Sequence, residues 1–330
     1  MNMRSVVAGA LVVLLTACGT PRSVPQFEPG DRVLVDAHNA YPENGRHEDR
    51  LTRALATGIP LAIEQDLVWC PTASGAFEVL VAHDTACRGD EPTLRQYFFD
   101  AVKPIVDAAS ARGVTDQWPV ITLNLDFKMD PPELHHAVWN LLGEYETWLT
   151  TAARTATPDT LAPLTVGPLL VLTGQADAQQ VSFHDTVPVG RRLRLFGAVH
   201  DAPVTRDTTP SAPPAPMRAT NYRRWWNHPW KVVEPEGQPE AGDWTAGDAA
   251  RLSQVVTAAH AAGLWIRFYT LNGAAASEAA AQSWSPTYNF GSLGAAVTRW
   301  QAARAAGVDF IATDQYESLA GVLHTTTARR

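Results

Sequence analysis

The 330-residue chain is short of charge, of lysine and of cysteine, and each shortage excludes something. Charged residues make up 18% against 45% hydrophobic, which is enough apolar side chain to order a core, so a disordered reading fails. The formal charge is −8, and that argues against nucleic acid as a partner. Pro (24) and Gly (22) are unexceptional, so no collagen-like or low-complexity reading survives, and no internal repeat is visible. Lysine occurs only at 103, 128 and 231, the other 23 basic residues being arginine. A GC-rich coding sequence accounts for that bias, yet it makes a lysine inside a strand motif stand out. Beyond the N-terminus no apolar run approaches the length needed to span a bilayer. The length suits one large domain, and (β/α) barrels routinely fill ~250 residues as a single unit.

The N-terminus reads as an address. Arg4 precedes an apolar run from Ser5 to Leu15, too short for a stable span and typical of a secretory signal. Leu15-Thr16-Ala17-Cys18 resembles the bacterial lipobox. That resemblance implies removal of residues 1–17 and acylation of Cys18, an ordinary signal cut nearby being the alternative. Residues 18–30, polar and carrying Pro21, Pro25 and Pro29, would form a tether. The expectation is an exported cell-envelope lipoprotein, a monomer anchored in a membrane at its periplasmic or extracellular face. With Cys18 lipidated, Cys70 and Cys87 remain. In an oxidising compartment they can pair, closing a loop of about 16 residues worth ~3 kcal/mol, or stay as free buried thiols.

Strand-like runs alternate with helical ones along the chain. Strands are expected at Val33–Asp36, Leu61–Leu67, Glu78–Ala82, Val120–Phe127, Pro168–Leu172, Leu193–Ala198, Trp265–Leu271 and Asp309–Ala312. Helices are expected at Glu48–Thr57, Leu94–Arg112, Glu133–Leu149, Ala246–Ala262 and Ser292–Ala306. Such alternation means a mostly parallel sheet, and about eight strands favour closure. The fold class is therefore α/β, a TIM-type (β/α)8 barrel over residues 31–322, with a tail at 323–330. The Pro/Thr/Ala-rich stretch 201–217 is a long loop within this domain.

Residues two apart on a strand share a face. Glu64 and Asp66 therefore point the same way, as do Thr122, Asn124, Asp126 and Lys128, while Ile121, Leu123, Leu125 and Phe127 form the face that meets helices. The polar faces must look into the barrel near its C-terminal mouth. Three carboxylates aimed at one place cannot all stay ionised unless a cation relieves them. Their oxygen ligands favour one divalent cation, Mg²⁺ or Ca²⁺, over zinc. An ion-pair network with Lys128 and arginines is the structural alternative. His38 and His83 lie just past the ends of early strands, and imidazole exchanges protons near neutrality.

In order, His38-Asn39, Glu64-x-Asp66, His83-Asp84, Asp126-x-Lys128, Gly307-Val308-Asp309 and Thr313-Asp314 resemble the phospholipase C-like phosphodiesterase superfamily, from about residue 33 to 320. That group includes glycerophosphodiester phosphodiesterases and phosphatidylinositol-specific phospholipases C. His38-Asn39-x-Tyr41, Thr93-Leu94-Arg95-Gln96-Tyr97 and Ile266-Arg267-Phe268 look nearest the altered inheritance of mitochondria protein 6 type branch. The resemblance implies metal-assisted attack on a phosphodiester or phospholipid substrate. Glu64, Asp66, Asp126 and Asn39 would hold the metal, His38 and His83 would be the acid–base pair, and Lys128 would balance charge on the phosphoryl oxygens. Asn39 stands where glycerophosphodiesterases usually have Arg, which favours lipase-like substrates. Asp126 replaces a frequent Glu with a shorter reach.

Weaker signals remain. Asn221–Trp230 sets Arg223 and Arg224 beside Trp225, Trp226 and Trp230. Arg224 and Trp225 would bind an anionic or choline-bearing headgroup, or simply pack. Arg267 would face the barrel mouth and the phosphate. Asp314 reads equally as structural or functional, and His135-His136 as helix surface. A barrel that binds envelope lipid or glycan without turnover is the competing function. A glycosidase using Glu64 and Asp66 fits less well, because both lie on one strand.

Overall fold

The computed structural model describes residues 27–43, 46–113, 119–203 and 212–325. The signal at 1–17, Cys18 and most of the tether lie outside the described residues. The chain forms β1 (Leu34–Ala37), α1 (Arg50–Ala56), β2 (Leu61–Pro71), β3 (Phe77–Val81), α2 (Asp100–Ala111), β4 (Ile121–Phe127) and α3 (Pro132–Glu144). There follow β5 (Thr151–Ala153), β6 (Leu164–Thr165), β7 (Leu169–Thr173), α4 (Asp177–Gln180), β8 (Arg192–Leu193), β9 (Phe196–Ala198) and β10 (Arg223–Pro229). The last elements are α5 (Ala246–Ala261), β11 (Trp265–Tyr269), α6 (Ala276–Ala281), α7 (Leu293–Ala306), β12 (Phe310–Thr313) and α8 (Tyr316–His324).

Eight parallel strands close a barrel in the order β1, β2, β4, β7, β9, β10, β11, β12, with β12 returning to β1. The TIM-type barrel expected from alternation is present, but one expected stave is not a stave. Glu78–Ala82 falls on β3, which pairs antiparallel with the C-terminal half of β2, so that Leu67 faces Val81 and Pro71 faces Phe77. β2 outruns the barrel by several residues, and its upper half needs a partner for its backbone groups. The hairpin supplies one. The missing stave is β10, whose Arg- and Trp-rich sequence disguised a strand. β5, β6 and β8 form a separate small antiparallel sheet beside the barrel.

Local chemistry explains several boundaries. α3 opens with Pro132 in its first turn, where a missing N–H costs nothing. It ends at Glu144, short of the expected Leu149, and a 3-10 turn at Glu146–Trp148 follows. α5 starts from a capping box in which Thr245 and Asp248 satisfy each other's backbone N–H groups. Gly307 ends α7 at φ 82°, a conformation that glycine adopts without strain.

The core has two shells. Val35, Ile63, Leu123, Val171, Ile266 and Ile311 face outward from the staves to the helices. Inside the lower barrel, Leu34, Leu170, Leu172, Phe196, Trp225, Trp265 and Phe310 pack solid. The C-terminal end of the barrel is open and polar.

Candidate active site

The open end holds a cavity of about 510 Å³, lined among others by His38, Glu64, Asp66, His83, Asp126, Lys128, Arg267 and Asp314. Period-two alternation brings them there. β2 contributes Glu64 and Asp66, and β4 aligns Asn124 with Glu64 and Asp126 with Asp66. One oxygen from each of Glu64, Asp66 and Asp126 lies within 4.8 Å of the other two.

Three cations answer these carboxylates. Lys128 Nζ sits 2.9 Å from Asp66 Oδ2 and 2.7 Å from Asp126 Oδ2. Arg267, on β11 and almost wholly buried, donates from Nε to Asp36 Oδ2 and from Nη1 to Asn227 Oδ1 at 3.2 Å, with Nη2 at 3.4 Å from Glu64 Oε1. It therefore forms the floor of the cavity. His38 is the third. Its Nδ1 lies 3.1 Å from Asp314 Oδ1 and its Nε2 3.4 Å from Glu64 Oε2.

These contacts push the titrations apart. Burial alone would lower the His38 pKa, but Glu64 and Asp314 outweigh it and hold the imidazole up to about 9. Burial likewise works to raise Glu64, yet Arg267, His38 and Lys128 keep it below the usual carboxylate range. Asp66 goes the other way. Burial and the neighbouring charges of Glu64 and Asp126 outweigh Lys128 and lift it to about 7. His83 stands at the exposed rim, where partial burial and the ammonium of Lys128 lower its pKa below 6.5.

The residues that could hold a cation are Glu64, Asp66 and Asp126. Asp66 Oδ1 is buried and accepts no hydrogen bond, so one ligand-capable oxygen is open. The all-oxygen donor set suits Mg²⁺ or Ca²⁺. Asn39 lines the same cavity. Its side-chain oxygen lies 2.6 Å from the Tyr41 hydroxyl and its Nδ2 donates to Asp314 Oδ1 at 3.1 Å, while its backbone N–H donates to Glu64 Oε2 at 3.3 Å. It braces the site, and its amide oxygen, with two lone pairs and the single Tyr41 proton shared with Asp66, keeps room for a further partner.

Arg224 and Trp225 are a correction. Trp225 is fully buried in the lower barrel, its indole N–H donating to the Thr173 carbonyl, and Arg224 spends its guanidinium on the carbonyls of Ala162 and Asn221. Neither lines the cavity. Two residues further along the strand, on the same face as Trp225, Asn227 does. His135 is also not on the surface. It is buried between Ser182 and Asp130, and only His136 is exposed.

The structure adds residues that the sequence reading left without roles. Asp314 orients His38 and is itself fixed by Asn272. Tyr41 Oη lies 2.7 Å from Asp66 Oδ2 as well as against Asn39. Asp36 is the carboxylate beneath Arg267. A charged residue inside the strand Leu-Val-Asp-Ala was the available signal for Asp36. Asn272 gave none. Cys70 and Cys87 are joined in a disulfide that ties the end of β2 to the loop following His83.

No family model matches the chain, and no curated protein does. Among solved structures it is similar to a glycerophosphoryl diester phosphodiesterase from Parabacteroides distasonis, at 13% identity and TM-score 0.42 over 92% of this chain and 90% of that one. It is also similar to a glycerophosphodiester phosphodiesterase from Agrobacterium tumefaciens, at 13% identity and TM-score 0.37 over 88% and 99%. A 7,8-dihydropteroate synthase from Vibrio fischeri follows, at 14% identity and TM-score 0.36 over 91% and 93%. These neighbours comprise two phosphodiesterases and a synthase, and the chemistry of this chain has to be read from its own side chains.

Proposed function

We propose that this chain is an exported, lipid-anchored phosphodiesterase, a phosphoric diester hydrolase or lyase that uses His38 and His83 as acid and base with help from one divalent cation. The observation that carries the reading is a single polar cavity lined by two histidines, three clustered carboxylates and two cations, Lys128 and Arg267. A phosphodiester is anionic and resists nucleophiles, and its transition state gathers charge on the phosphoryl oxygens. Lys128 and Arg267 stand where they can offset that charge. His38, held by Asp314 at Nδ1, keeps the looser bond at Nε2 and is the group suited to protonate the leaving oxygen. His83, neutral near pH 7 and at the rim, is suited to take a proton from the nucleophile. Each role typically contributes ~10²–10⁴-fold. A divalent cation on Glu64, Asp66 and Asp126 would supply electrostatic stabilisation of the phosphoryl oxygens.

A panel of soluble and lipid phosphodiesters with Mg²⁺, Ca²⁺ or EDTA, products read by phosphorus NMR, tests this. Turnover with a cation and its loss in EDTA are expected. The NMR also separates hydrolysis, with water as nucleophile, from a cyclic phosphate formed by a substrate hydroxyl. Full activity in EDTA would remove the cation and leave Lys128, already bridging Asp66 and Asp126, as the charge that closes the cluster. Binding of an envelope lipid or glycan with no turnover on any diester would favour the non-catalytic barrel.

A further inference from the structure

The point at which the anchor leaves the barrel constrains what the site can reach. The first described residues dock at the N-terminal end of the staves, opposite the mouth. Phe27 packs its ring 4.6 Å from that of Trp265, the first residue of β11, and the Gly30 N–H donates to Asp309 Oδ1 at 2.7 Å, just ahead of β12. His38, Asp126, Lys128 and Asp314 lie at the other ends of their strands or beyond, and Asp66 on the long β2 is level with Asp126.

Cys18 is nine residues from Phe27, a reach of about 32 Å at full extension. A folded body of roughly 300 residues has a radius of gyration of about 19 Å, which makes a surface path from one pole to the other roughly 75 Å. The tether falls short of that path by about half. Exposed apolar side chains stand at both poles, Ile59 (41%), Leu161 (47%) and Val189 (57%) on loops of the lower side and Phe77 (55%) in the β2–β3 hairpin at the mouth end, so the orientation is set by the reach of the tether. The mouth cavity itself is polar, with the rings of Tyr41, Tyr269 and Tyr288 its main apolar surfaces and Leu125 turned outward to the helices, a lining that suits a small polar diester.

We infer that the barrel stands with its lower pole on the membrane that anchors it and its mouth turned to the aqueous side, so that it acts on phosphodiesters arriving from solution and is barred from lipids of its own membrane. The inference rests on the lipid-anchored phosphodiesterase reading above.

The test uses the full acylated protein in phosphatidylcholine/phosphatidylglycerol vesicles. A fluorophore is placed on Val189→Cys at the lower pole or on Ser74→Cys in the β2–β3 turn at the mouth end, and a spin-labelled lipid is the quencher. Strong quenching at 189 with none at 74 is expected. Equal quenching at both positions would overturn the inference, as would protein that fails to stay on vesicles because Cys18 carries no lipid. A second arm inserts about forty flexible residues after Ser23. Phosphatidylglycerol turnover in the host vesicle should rise at least ~10-fold once the site can swing to the surface, while turnover of soluble bis(p-nitrophenyl) phosphate stays unchanged. Phosphatidylglycerol turnover by the native tether as fast as by the long one would also overturn it. Inactivity on every diester would strike only the phosphodiesterase reading, because quenching is read without turnover.

Discussion

At the scale of single residues, the site separates two histidines by environment. His38 is gripped by Glu64 and Asp314, and His83 stands at the rim near Lys128. Alanine at either position should lower kcat at least ~10²-fold. His83→Ala should leave the melting temperature unchanged, since that side chain is exposed. The rate should also be bell-shaped in pH. A base must be deprotonated, so activity falls as pH drops through the His83 pKa, below 6.5. An acid must be protonated, so activity falls again as pH rises toward about 9, the His38 value, and at lower pH once a bound cation weakens the pull of Glu64. Loss of the acid limb in His83→Ala, read in the residual rate, checks the assignment. The same shift has a stability consequence. The His38 pKa is raised in the folded state, so its stabilisation is complete below pH 6.5 and is lost as pH rises through about 9. Melting temperatures in EDTA should fall over that window in the wild type and show no such component in His38→Gln. Arg267 belongs to the fold as much as to the chemistry. Arg267→Ala strands the buried carboxylate of Asp36 and should cost about 3–5 kcal/mol in urea unfolding. Pairing Arg267→Met with Asp36→Leu should recover most of that stability and none of the activity.

At the scale of elements, the overlong β2 and its hairpin decide where His83 sits. β3 ends at Val81, and the loop beyond it is held to β2 by the Cys70–Cys87 disulfide, which closes a span of 17 residues. The double variant Cys70→Ser/Cys87→Ser should lose ~3 kcal/mol of stability, measured by denaturant unfolding against the oxidised wild type. It should also lower kcat, because the loop that carries the proposed base gains freedom. Unchanged kcat with lowered stability would detach the disulfide from catalysis. β10 teaches a different lesson about elements. Its Arg-Arg-Trp-Trp run reads as a binding motif when met as a sequence, yet the strand buries both tryptophans, Trp225 inward and Trp226 outward.

For the whole molecule, one large polar cavity opens at the mouth of a barrel whose lower half is solid. A divalent cation that binds this folded cavity stabilises the protein by mass action, about 2.7 kcal/mol at a hundred times its dissociation constant. Mg²⁺ or Ca²⁺ should therefore raise the melting temperature of the wild type, and Asp66→Asn should abolish the rise by removing the open buried oxygen. This readout does not depend on turnover. A shift that survives in Asp66→Asn would move the cation elsewhere. Among the described residues no helix is long and apolar enough to cross a membrane.

Sequence alone determined what rests on local pattern. Strand–helix alternation implied the barrel, and period two placed Glu64 with Asp66 and Asn124 with Asp126 and Lys128 on faces that must look inward, because their neighbours Ile63, Leu123 and Leu125 need the helices. Those are properties of a strand by itself. Tertiary structure decided whatever depends on strands far apart in the chain. It brought Asp314 and Asn272 to His38, set Asp36 under Arg267, tied Asn39 to Tyr41 and Asp314, sank Arg224 and Trp225 into the lower barrel, and turned one expected stave into a hairpin. No window of sequence contains those relations, since barrel closure and stagger fix which ends of distant strands meet.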